Sequence, residues 1–113
     1  MVDVPRERFE ELVADALDGI PPELGRYMDN VAVFVRDVPP RSNLLGLYEG
    51  FPLTVRGISY SGQMPDRITI YRTPICALAH SEQEVVDEVR RVVIHEVAHH
   101  FGIDDPRLRE LGW

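Results

Sequence analysis

The stretch SEQEVVDEVRRVVIHEVAHHFG, Ser81 to Gly102, combines the frame of a long helix with a reactive motif. Ser81-Glu82-Gln83-Glu84 has the Ser-x-x-Glu form of a capping box. Val85, Val89, Val92 and Val93 then recur at helical spacing as far as Phe101, where Gly102 supplies a stop. The spacing predicts one helix from 81 to 101, with His95, Glu96, His99 and His100 in its last turns.

Four helical residues advance about 400°, so His95 and His99 lie one turn apart on nearly the same face and can turn imidazole nitrogens onto one cation. Glu96 is rotated about 100° from His95, beside the pair, where it can hold a metal-bound water without ligating. Gly102 can reverse the chain through a left-handed conformation and let a residue past the helix reach the same ion, and Asp105 stands where that third ligand is expected. Two neutral imidazoles and a carboxylate leave the fourth position of Zn2+ open for water, which marks a catalytic site and not a closed structural one. Zinc would acidify that water, and Glu96 would take its proton and pass it to a leaving amine, so the expected reaction is metal-assisted amide hydrolysis with one zinc per chain.

Working outward, Phe9, Leu12, Val13, Ala16, Leu17 and Ile20 give residues 5–19 a single apolar stripe behind Pro5, and Pro21-Pro22 ends that helix. Residues 31–35 are rich in β-branched side chains and predict a strand. Residues 41–66, rich in Gly, Pro and Ser, predict loops with a short strand at 53–56. Residues 67–72 alternate polar with apolar up to Pro74 and predict a second strand that buries one face and lies near a proline-limited edge. A short helix is expected at 106–111. No internal repeat, low-complexity segment or linker interrupts the chain, so 113 residues with 44% hydrophobic content predict one domain, 1–113.

The net charge of −7 argues against binding nucleic acid or anionic membrane through phosphate neutralisation. All 12 basic residues are Arg, so lysine-dependent covalent chemistry is excluded. Cys76 stands alone, which removes internal disulfides and cysteine-rich metal sites. With no signal-peptide pattern at the N-terminus and no apolar run of membrane-spanning length, the expected location is cytoplasmic.

The chain resembles the small bacterial one-domain metallopeptidases described as minimal zincins, whose motif is close to the metzincin pattern with Asp in place of a third His. The resemblance extends over residues 44–50, 65–71, His95–Asp105 and 108–112. It implies an α/β (α+β) fold, a small mixed sheet packed against the active-site helix, with Glu96 catalytic, His95, His99 and Asp105 on zinc, and a short or unstructured peptide along the strand above the metal. After Asp105 only 8 residues remain and none is the Met of a metzincin Met-turn, so that wall must be absent or come from upstream. The competing readings are a zinc-dependent endoribonuclease, disfavoured by Glu96 and the acidic charge, and a binding module or pseudo-enzyme in which zinc only staples the fold.

Of the other candidates, His100 points about 100° away from His99 and reads as a packing or surface residue, as does His80 in its loop. Tyr48, Tyr60 and Tyr71 are candidates for oxyanion stabilisation. Arg67 and Arg72 flank the substrate strand and would either attract acidic peptides or discourage edge aggregation. Cys76 reads as a small buried hydrophobe. Asp105 precedes Pro106 and is also the natural N-cap of the last helix, leaving Asp104 and Asp105 to compete for cap and metal. The expectation is that Asp105 does both, one oxygen on zinc and the other accepting from the amide near Leu108, while Asp104 points elsewhere.

Overall fold

The computed structural model describes residues 1–50 and 65–113. Helix α1 spans Arg6–Asp18 and buries Phe9, Leu12, Val13 and Ala16, the stripe expected from the sequence. The next proline pair does more than terminate it. Pro22 opens a single-turn helix α2, Pro22–Gly25, because a first-turn position needs no N–H, and a 3-10 turn over Arg26–Met28 follows. Strand β1 is Val31–Arg36. Strand β2, Gly46–Glu49, lies inside the region expected to be loop. Its four residues carry one Gly and a terminal Glu, too weak a β pattern to read alone, and it is pairing with β3 that makes it a strand. The strand expected at 53–56 lies outside the described residues, as does Tyr60.

Strand β3, Asp66–Tyr71, runs directly into helix α3, Arg72–Leu78, a helix not foreseen because Pro74 reads as a break. Pro74 sits in the first turn of α3, where its missing N–H costs no helical bond. The sheet order is β1-β3-β2, with β1 parallel and β2 antiparallel to β3. The expectation that 67–72 lies near an edge is therefore overturned: β3 is central, and Ile68, Thr69, Ile70 and Tyr71 are all buried, so both of its faces are covered. Alternation alone could not separate one buried face from two.

Helix α4, Glu82–His100, packs against α1 and against the β2 side of the sheet. Val85, Val89, Val93 and Val97 are fully buried along it, together with Phe9, Leu24, Ile68, Ile70 and Ile75 from the other elements. It approaches the sheet tightly at Gly46, where a Cβ would lie 2.6 Å from the Cγ1 of Val92. Glycine there lets the helix sit directly on β2. Helix α5, Asp105–Leu111, ends at the left-handed Gly112. Among the described residues, no helix is long and apolar enough to cross a membrane.

Candidate metal centre

The start of α4 is fixed by side chains. Ser81 Oγ accepts from the Glu84 amide at 3.1 Å, while the Glu84 carboxylate accepts from the amide of His80 at 3.2 Å, so the reciprocal half of the capping box lands one residue earlier than its usual target. His80 also sets Nδ1 3.3 Å from Glu84 and remains a surface residue beside the cap.

The end of α4 is fixed by backbone. Gly102 adopts φ +82°, its amide donates to the carbonyl of His99, and the Ile103 amide donates to that of Ala98 at 2.8 Å. This pair of bonds is a Schellman turn, and Ile103 packs against the core beneath it. The reversal carries the chain back over the last turn of α4 and delivers two consecutive aspartates.

Those aspartates divide the work in a way the sequence alone does not foretell. Asp104 is the N-cap of α5, its backbone extended at ψ 172° and its Oδ1 accepting from the Arg107 amide at 3.0 Å. The Leu108 amide goes to the backbone carbonyl of Asp104 and not to any carboxylate. Asp105 is therefore not the cap: it begins the helix proper and sets Oδ1 2.9 Å from His99 Nε2 and 3.7 Å from His95 Nδ1. The register shifts by one because the Schellman turn leaves Asp104, not Asp105, in the extended conformation that an N-cap requires.

One donor atom from each of His95, His99 and Asp105 falls within 4.8 Å of the others, forming a candidate metal site. Their side chains are 37%, 48% and 54% exposed, so the site opens to solvent. The hydrogen bond to His99 holds the Asp105 carboxyl below its ordinary range against desolvation, helped by the charges of His99, His95 and Arg109. Asp105 is thus an anion at neutral pH, the form that ligates.

Beside the cluster, Leu44, Leu45, Gly46, Arg91, Val92, His95 and Glu96 line an open cleft of about 210 Å³ between the start of β2 and α4. Glu96 and His95 share this cleft, as the rotation of the motif requires. Arg91 is not singled out by the sequence, and Val92 only as part of the apolar stripe, although positions four and three before His95 share its side of the helix.

The remaining candidates fall elsewhere. His100 stacks on Tyr48, with ring centroids 4.0 Å apart, and meets Phe101 edge-on. Tyr48 commits its hydroxyl proton to Asp66 at 2.7 Å, and Tyr71 is buried at the end of β3. Arg67 pairs across the sheet with Glu49 at 3.5 Å and lies over the Phe34 ring; Arg72 bonds Asp37 and the Val4 carbonyl. Both arginines bind the fold's own groups and do not flank a substrate strand. Cys76 is buried, and that burial pushes its thiol up against the opposing charge of Arg72.

Fold and site together define a mixed α/β protein with a candidate His-His-Asp metal centre at the C-terminal end of its longest described helix, Asp105 coming from the start of the next. A family model described as Zincin-like metallopeptidase matches residues 28–113, and the chain belongs to that family. No curated protein matches it. Among solved structures, a conserved hypothetical protein from Thermo thermophilus shares the fold with a TM-score of 0.54 and 24% identity, over 86% of this chain and 94% of its own.

Proposed function

We propose that the protein is a zinc-dependent peptidase that hydrolyses short or unstructured peptides. The observation that carries this reading is the convergence of His95, His99 and Asp105, with His95 also lining a cleft that it shares with Glu96. The donor set fits zinc in kind, two imidazoles and a carboxylate gathered within 4.8 Å of one another, with Asp105 2.9 Å from His99 and 3.7 Å from His95. Zinc, when bound, supplies a Lewis-acid charge that acidifies a water and polarises a scissile carbonyl.

The protein's side chains do the rest. His95 and His99 would hold the ion through ring nitrogens and Asp105 through its carboxylate. Glu96, rotated to the cleft side of the pair, accepts the water's proton on its carboxylate and returns it to the amine of the departing fragment. Among the described residues β2 is an edge strand, and it borders the cleft at Gly46. An extended peptide adding to β2 would gain backbone hydrogen bonds that tolerate many sequences, the role that the sequence suggests for residues 67–71.

Incubating the zinc-loaded protein with a mixed peptide library, with RNA as the control, tests the reading. Peptide cleavage abolished by chelation and reduced about 10²- to 10⁴-fold in Glu96→Gln, with one zinc retained per chain, is the expected result. Stoichiometric zinc with no cleavage would leave only a zinc-stapled fold, and RNA cleavage would replace the substrate class.

A further inference from the structure

Resting on that reading, we propose that Arg91 determines specificity by receiving a carboxylate of the peptide, either its C-terminus or an acidic side chain near the scissile bond. Among the described residues, Arg91 is the arginine that lines the cleft shared by His95 and Glu96. Its neighbour Arg90 turns the other way, donating Nε to the Ala16 carbonyl and pairing with Asp87. Arg67 and Arg72 are likewise held by Glu49, Asp37 and Val4.

The guanidinium of Arg91 is aimed without being consumed. Glu88, one turn back on the same helix, takes one hydrogen of its Nη2, which fixes the arm and leaves Nη1 and the second Nη2 hydrogen to fork onto an incoming carboxylate. Leu44, Leu45, Gly46 and Val92 line the cleft beside it, while the Arg91 side chain is itself 54% exposed, so the bond formed there carries the modest weight of a solvent-open ion pair. The chain's net charge of −7 sharpens the selection, because an acidic peptide is disfavoured over the general surface and accepted where this cation waits.

Position sets the subsite. Arg91 lies four residues before His95, about 6 Å back along the helix axis. An extended peptide advances about 3.3 Å per residue, so the recognised carboxylate lies about two residues from the bond cleaved. The reach of the arginine side chain accommodates either a chain terminus or an Asp or Glu at that distance.

The test uses N-capped hydroxamate dipeptides, which bind the metal but are not cleaved, in three forms: a free C-terminal carboxylate, its amide, and an amide carrying Asp at the second residue. Affinities are measured for the zinc-loaded parent, Arg91→Ala, Arg91→Lys and Arg91→Glu, with zinc content checked in each. The parent is expected to prefer one or both carboxylate probes over the neutral amide by roughly five- to tenfold. The preference should vanish in Arg91→Ala, return in part in Arg91→Lys and invert in Arg91→Glu, with zinc content unchanged. The probe that shows the effect identifies the source of the carboxylate. If all probes bind but Arg91→Ala keeps the parent's ratios, Arg91 is not the specificity residue and the peptidase reading stands. If no hydroxamate binds the zinc-loaded parent, the peptidase reading falls and the Arg91 assignment falls with it.

Discussion

The two halves of α4 share one buried stripe but are held and used differently. In the first half Val85, Val86 and Val89 are buried, and the end is locked by the side chains of Ser81 and Glu84. In the second half Val93, Ile94, Val97 and Ala98 continue the stripe, while His95, Glu96 and His99 occupy the complementary face, open to the cleft or to solvent. That end is locked by a glycine turn and a returning aspartate. The lesson is that candidate ligands need not weaken the helix that carries them: the core holds one side and the candidate site takes the other.

This comparison predicts that function and stability separate along the helix. The largest effect should come from the first half's contact with α1: Phe9 is fully buried there, and Phe9→Ala should cost about 3–5 kcal/mol in denaturant unfolding by leaving a cavity. If Phe9→Ala were neutral, the packing of α1 on α4 would be wrong.

A smaller effect distinguishes the two caps. At φ +82° an L side chain at residue 102 is strained by about 1–2 kcal/mol, so Gly102→Ala should lose stability and zinc affinity together, because the same turn delivers Asp105. Retention of parent affinity would show that Asp105 reaches the histidines independently of the turn. Next, Asp104→Ala should cost about 1 kcal/mol and keep the metal, whereas Asp105→Ala should lose zinc and leave the metal-free melting temperature close to the parent's. The reverse pattern would put the turn's register off by one.

The smallest effect lies on the surface of the first half. Arg8 hydrogen-bonds Glu82 and holds its carboxyl below the ordinary value of 4.5. A carboxylate lowered in the folded state contributes stability above its unfolded pKa and loses it as pH falls through the folded value. Thermal melts at falling pH should therefore converge for the parent and Glu82→Gln below that range and differ slightly above it. A difference that grew in acid would contradict the pairing.

Much of the architecture was legible because it rests on local rules. The valine period, Ser81, Gly102 and the stripe of α1 foretold the two long helices, since capping and amphipathic burial involve residues close in sequence. The four-residue strand β2, the helix that begins through Pro74 and the central place of β3 were not legible. Each depends on partners distant in sequence, and β2 has almost no pattern until Gly46 to Glu49 pair with Ile70 to Arg67.

For the site, helical geometry by itself set His95, Glu96 and His99 side by side, because the rise and rotation of an α-helix allow little else. The sequence also named Asp105, but it could not divide the tasks of two adjacent carboxylates, whose chemistry is identical. Only the tertiary structure did so: the turn at Gly102 places Asp104 in the extended geometry of a cap and leaves Asp105 facing the imidazoles. It also decided which of the described arginines lines the cleft, since side chains alike in sequence are distinguished only by what packs around them.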